Sequence, residues 1–166
     1  QDINICGFDV KIGDQIFDLG GGAVLGVELC EDLWVPLPPS SVLAESGANI
    51  IANLSASDEY VSKAQYRKSL VKNQSARCIC AYVYAGAGPC ESTTDLVFSG
   101  ATLIAENGSI TAQGKRFDYD NQIVYADVDI EKLSVLRRSN MSFSNRPSCA
   151  QIVNVPVKND NNDLKY

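Results

Sequence analysis

The chain has 166 residues, a net charge of −6, 45% hydrophobic residues and 20% charged residues. That suits one soluble globular domain, and the acidic balance argues against nucleic acid or an anionic membrane as partner. There is no histidine, which excludes every Ser-His-Asp or Cys-His mechanism supplied by this chain alone and removes the commonest metal ligand. The chain opens on Gln1 and its single methionine is Met141, so Gln1 is read as a non-native start. No stretch approaches the ~20 apolar residues of a membrane span, and no signal peptide is visible. Cys6, Cys30, Cys78, Cys80, Cys90 and Cys149 read as reduced, mostly buried thiols of a cytoplasmic protein. Cys78 and Cys80 form a C-x-C pair, not the C-x-x-C of zinc or thioredoxin sites.

In chain order, Ile3 to Leu19 is short and mixed, and Gly20 to Gly22 punctuate it. Ala23 to Leu29 is an apolar run of strand length. Pro36, Pro38 and Pro39 break regular structure, Ser40 caps a short helix through Ser46, and Gly47 ends it. Asn49 to Leu54 is a second strand. Ser62 to Cys80 is helical, with Ala64, Leu70 or Val71, Ser75 and Ile79 inward and Lys63, Arg67, Lys68 and Lys72 on the other face. Ala81 to Ala85 is a third strand, and Gly86 to Asp95 is a loop long enough to suggest function.

Leu96 to Phe98, Ala101 to Ala105 and Ser109 to Gln113 are short strands, with Asn107-Gly108 as a hairpin turn. Ile123 to Val128 is another strand, and Asp129 caps a helix from Ile130 to Ser139. Residues 141–166 form an extended or partly disordered tail, or one docked elsewhere on the molecule. The order implies an α/β or layered α+β fold.

Cys30 stands at the end of an apolar strand, where α/β sheets open into a ligand crevice. A nucleophile at such an elbow is exposed while its backbone stays fixed. The N–H groups of Glu31 and Asp32 can then donate to an oxyanion. The competing reading is a buried apolar cysteine. Cys78 and Cys80 read as core, Cys90 as a loop residue with no strand behind it, and nothing singles out Cys6 or Cys149. Glu28 would share a face with Cys30 if both lay in the strand, in a strained or solvent-facing role. Lys63, Arg67 and Arg77 read as a solvated face, with a substrate-carboxylate contact as the alternative for one of them.

The run Glu28-Leu29-Cys30-Glu31-Asp32-Leu33-Trp34-Val35-Pro36, with Pro38-Pro39-Ser40, resembles the nucleophile segment of the glutaminase domain of glutamine-dependent NAD synthetases. That domain belongs to the nitrilase, or carbon–nitrogen hydrolase, superfamily. The likeness continues through Ala52 to Ser57, Gln74 to Cys78, Ala81 to Tyr84, Glu91 to Leu96, Glu106 to Gly108 and Ala126 to Asp129. The Glu91-Ser92-Thr93-Thr94-Asp95 block favours the NAD synthetase branch. The resemblance implies part of a nitrilase-type α-β-β-α sandwich, with residues 1–140 as the C-terminal portion of the domain. It implies hydrolysis of L-glutamine by a Glu-Lys-Cys triad through a glutamyl thioester. Ammonia then passes to a synthetase domain that amidates deamido-NAD with ATP and magnesium; the glutaminase domain itself needs no cofactor and no metal. Cys30 carries over as nucleophile and the Glu31 backbone as oxyanion donor. Glu31, Trp34 and Ser57 match positions near the bound glutamine, and the parent enzyme is expected to be a homo-oligomer.

One departure stands out. The family's general-base Glu and its Lys lie well upstream of the Cys, and only 29 residues precede Cys30 here. Lys11 is the only lysine among them, and Asp2-Ile3-Asn4-Ile5 does not resemble the Lys block. The isolated chain is therefore expected to be inactive. The alternatives are another nitrilase-superfamily amidase and a non-catalytic assembly module.

Overall fold

The computed structural model describes residues 2–144 and 150–155. Cys149, Pro147 and the polar run 158–163 lie outside the described residues.

The chain opens on an antiparallel hairpin, β1 (Asp2–Ile5) and β2 (Phe8–Lys11). Its turn residues Cys6 and Gly7 both have positive φ, 51° and 87°, the backbone of a tight hairpin turn. Pairing sets Ile3 opposite Val10 and Ile5 opposite Phe8, and all four are exposed. β3 (Gln15–Asp18) then pairs antiparallel with β4 (Val24–Leu29) across the Gly20–Gly22 turn. The sequence reading found no strands in Ile3 to Leu19: four-residue strands carry too few alternations to stand out.

β4, β5 (Ile50–Ser55) and β6 (Ala81–Gly86) are parallel neighbours. Parallel strands need crossovers, and α1 (Pro39–Glu45) and α2 (Lys63–Arg77) supply them. The sheet then turns antiparallel through β7 (Thr102–Glu106) and β8 (Ser109–Gln113), joined at Asn107-Gly108 as expected. The seven-stranded order is β8-β7-β6-β5-β4-β3-β9. β9 (Gln151–Asn154) lies in the segment expected to be a tail and pairs parallel with β3. The result is a mixed α/β sheet with helices.

Helices cover one face of this sheet. Ile51, Val71, Tyr82, Tyr84, Leu103 and Ala105 form the core between them. Gly26 permits the close approach of α1: a Cβ there would meet Leu43 Cβ at 3.1 Å and Ala48 Cβ at 3.2 Å. The other face is open, with Val27, Leu29 and Leu54 exposed. α3 (Ile130–Ser139) begins where expected, Asp129 Oδ1 accepting from Lys132 N at 2.8 Å. A short α4 (Met141–Ser144) follows.

Other expectations fail. Leu96–Phe98 and 123–128 are irregular, with Ile123 and Tyr125 exposed, and among the described residues neither pairs with a strand. α1 starts at Pro39, and the backbone N–H of Ser40 is held by Glu28 instead of Ser40 serving as the cap. α2 stops at Arg77, and Ile79 has φ 44°, which turns the chain into β6.

Candidate functional site

β4 delivers its last residue, Leu29, to a single 3₁₀ turn, Cys30–Trp34. Cys30 itself has φ 47°, a left-handed conformation that costs an L-residue roughly 1–2 kcal/mol. The turn is secured by Asp32, whose Oδ2 accepts from Leu29 N at 2.8 Å, and by the buried Leu33. Next door, β5 ends at Ser55 and its continuation 56–60 leads into α2.

These two strand ends and the first turn of α2 enclose a cavity of about 330 Å³. Cys30, Glu31 and Trp34 line it from the turn, Ser57, Asp58 and Tyr60 from the loop, and Lys63 from the helix. All four residues named by the sequence reading, Cys30, Glu31, Trp34 and Ser57, thus line one cavity. Cys30 is half-buried, and among the described residues nothing hydrogen-bonds its thiol.

Lys63 was read as part of a solvated face and is instead 7% exposed. Its Nζ lies 2.5 Å from Asp58 Oδ1, 5.2 Å from the centre of the Trp34 ring and 4.9 Å from that of Tyr60. This cage keeps an ammonium among carbon atoms by giving it one carboxylate and two ring faces. The Lys63 hydrogen bond holds the Asp58 carboxyl below the usual carboxylate range. One helical turn on, Arg67 is also buried, 2.5 Å from Glu59 Oε1, which Ser99 Oγ joins at 2.5 Å. Arg116 reaches Glu59 Oε2 at 3.4 Å. Arg77 alone of the three cations is exposed. The buried stripe of α2 therefore runs Lys63, Arg67, Val71, Gln74 and Ser75. Apolar periodicity found Val71 and Ser75 and missed Lys63, Arg67 and Gln74, which are charged or polar.

Cys78 and Cys80 are buried, as expected. Gln74 Nε2 lies 3.2 Å from Cys78 Sγ. The two thiols share a hydrogen bond that pulls Cys78 down and pushes Cys80 up. Cys6 and Cys90 are exposed and far in sequence from the cavity's lining. Sequence reasoning did not single out Asp58 or Tyr60. The available signal was position: both stand between the polar end of β5 and a helix beginning with lysine.

A family model described as carbon-nitrogen hydrolase matches residues 4–138. The chain belongs to the carbon–nitrogen hydrolase family. It is 48% identical over 134 residues to the glutamine-dependent NAD(+) synthetase of Mycobacterium tuberculosis, covering 79% of this chain and 20% of that protein. The synthetase of the same name from Saccharomyces cerevisiae is 34% identical over 154 residues, covering 90% of this chain and 21% of that protein. Among solved structures, the glutamine-dependent NAD(+) synthetase from Cytophaga hutchinsonii superposes with a TM-score of 0.66 at 29% identity, over 77% of this chain and 20% of that one. The Helicobacter pylori carbon-nitrogen hydrolase, 19% identical, shares the fold with a TM-score of 0.61, over 81% of this chain and 49% of that one. The chain thus spans about a fifth of the length of the curated relatives it matches. No helix among the described residues is long and apolar enough to cross a membrane.

Proposed function

We propose that this chain is the nucleophile-bearing portion of a glutamine amidohydrolase that supplies ammonia for amidation of deamido-NAD. The observation that carries the reading is the elbow at Cys30 opening on a cavity shared with Glu31, Trp34, Ser57 and Lys63. Cys30 Sγ attacks the side-chain amide carbon of L-glutamine. The backbone N–H of Glu31 donates to the oxyanion. The C–N bond breaks, ammonia leaves with the proton that the Cys30 thiol gave up, and water hydrolyses the glutamyl thioester to glutamate and the free thiol. Lys63 suits the α-carboxylate of the substrate, with Trp34 and Ser57 shaping the pocket, while the carboxylates of Glu31 and Asp58 offer partners for the α-ammonium.

A thiol needs a nearby base or cation to attack at neutral pH. Lys63 is engaged with Asp58, and no described residue bonds the Cys30 thiol. The chain alone is therefore inactive, and the base and second cation come from the rest of the parent domain. Residues 1–140 are its C-terminal portion and 141–166 follow it. The apolar open face at Val27, Leu29 and Leu54 supports a second sheet packing there, completing an α-β-β-α sandwich. ATP and magnesium belong to the synthetase domain of a homo-oligomeric, cytoplasmic parent.

The test uses the full-length enzyme carrying this domain. Cys30→Ala abolishes NAD synthesis from glutamine and leaves synthesis from added ammonia intact. Equal loss with both nitrogen donors, or retained glutamine use, overturns the reading. The 166-residue chain assayed by itself releases no Cys30-dependent ammonia.

A further inference from the structure

Glu28 is a buried carboxylate for which the proposed reaction has no use. It is 2% exposed and does not line the Cys30 cavity. Neither the strained nor the solvent-facing role expected from sequence describes it, because its side chain turns inward under the helices. Among the described residues it has no cationic partner. Burying an unpaired carboxylate is costly unless hydrogen bonds satisfy it, so both its oxygens must be held.

Ser40 N donates to Glu28 Oε2 at 2.8 Å, and the Tyr82 hydroxyl donates to Oε1. Burial and the carboxylate beside it push the Tyr82 hydroxyl up, which keeps it a neutral donor. The two bonds have a geometric consequence. Glu28 is the last inward-facing residue of β4, two positions before Cys30. Ser40 stands in the first turn of α1. Their hydrogen bond closes a loop that contains the whole Cys30–Trp34 turn. Tyr82, from β6, anchors that closure across β5. The left-handed Cys30 thus sits inside a short loop clamped at its base by one carboxylate, with the Asp32–Leu29 bond bracing it within.

We propose that Glu28 is a positioning residue whose carboxylate, tied to α1 and Tyr82, holds the Cys30 elbow in its left-handed conformation. The inference rests on the reading of Cys30 as nucleophile for its purpose, but its test does not.

The full chain is labelled for NMR, and the Cys30 carbon shifts and the amide–Hα coupling report its φ. Glu28→Leu, which removes both acceptors, moves Cys30 toward negative φ. Asn107, also left-handed at φ 44° in the β7–β8 turn, stays put as internal control. Glu28→Gln restores the wild-type shifts, because its amide can accept from Ser40 and donate to the Tyr82 oxygen. Alkylation by iodoacetamide follows: in Glu28→Leu the rate at Cys30 departs from that of wild type, while exposed Cys90 keeps its rate. If Glu28→Leu does not fold, Tyr82→Phe decides, with a smaller shift of the same sign. Wild-type shifts and rates at Cys30 in folded Glu28→Leu, or in Tyr82→Phe if Glu28→Leu does not fold, overturn the proposal. A Cys30→Ala enzyme that still uses glutamine overturns the nucleophile reading instead and leaves the φ measurement standing.

Discussion

Helix α2 has a cation site at each end, buried at its start and half-buried at its end, and the two are built on different principles. At its start, Lys63 and Arg67 face the carboxylates of Asp58 and Glu59. At its end, Arg137 reaches over from α3 to backbone carbonyls. Its Nε donates to Ile79 O at 2.9 Å, and Nη2 donates to Cys78 O at 2.8 Å and to Ala48 O at 2.6 Å. Among the described residues no carboxylate takes part there; the carbonyls of the α2 C-cap Cys78, of Ile79 just beyond it and of Ala48 after α1 do. The Phe143 ring lies 4.8 Å beneath the guanidinium. The first site is a charge pair beside a cavity, whose members can exchange one another for a ligand. The second is a staple of fixed dipoles with nothing to exchange. The contrast teaches that a cation can be held away from water either by exchangeable carboxylates or by fixed backbone dipoles, and the first arrangement borders the Cys30 cavity.

The sharpest break in this comparison is Arg67→Ala. It leaves Glu59 buried with only Ser99 and the longer Arg116 contact. Removing one partner of a buried pair costs about 3–5 kcal/mol, read by urea unfolding. Arg137→Ala comes next, at about 2–4 kcal/mol from several carbonyls left without donors. Arg137→Lys recovers only part of this, since an ammonium lacks the planar fork. Neither change at Arg137 alters the KM for glutamine once the enzyme is folded.

Lys63→Ala reverses that pattern. Its stability loss is about 1 kcal/mol, because Asp58 is partly exposed and water takes over its solvation. Its KM for glutamine rises about tenfold, the worth of one charge-assisted contact. An unchanged KM would remove Lys63 from the substrate site and reduce both ends of α2 to structural staples.

The smallest effect is in pH. Lys63 holds the folded Asp58 carboxyl below its unfolded value of about 3.9. A depressed acid stabilises the fold above its unfolded value, and that contribution is lost as pH falls through the lower folded value. Wild type should therefore exceed Asp58→Asn in stability at pH 6, with the gap closing below about pH 4. The Arg137 staple has no carboxylate among the described residues and gives Arg137→Ala a gap that stays constant over the same window.

Much of the fold was legible because its signals are local. The Asn107-Gly108 turn, the Asp129 cap and the strands at 23–29, 49–54 and 81–85 each announce themselves within a few residues. β1, β2 and β3 did not, being too short for alternation to register. Ile123 to Val128 gave a false strand because β-propensity describes a side chain's fit to a sheet, and among the described residues this segment pairs with no strand. Of the site, Cys30, Glu31, Trp34 and Ser57 were legible from motif. Asp58, Tyr60 and the inward turn of Lys63 were not, because a charged residue reads as surface until its partner is known.

The sequence by itself therefore determined a histidine-free thiol candidate at a strand end, the family, and the main α/β order. These rest on residue chemistry and on contacts a few positions apart. The tertiary structure alone decided that Lys63 and Arg67 are inside, that Glu28 grips Ser40 and Tyr82, and that β9 joins β3. Each of those depends on a residue from another element: Trp34 and Ser99 cover the local Lys63–Asp58 and Arg67–Glu59 pairs, Tyr82 reaches Glu28 from β6, and β9 comes to β3 from the far end of the described chain. Whether a charge can be buried, or a strained elbow held, depends on what a distant segment brings to meet it.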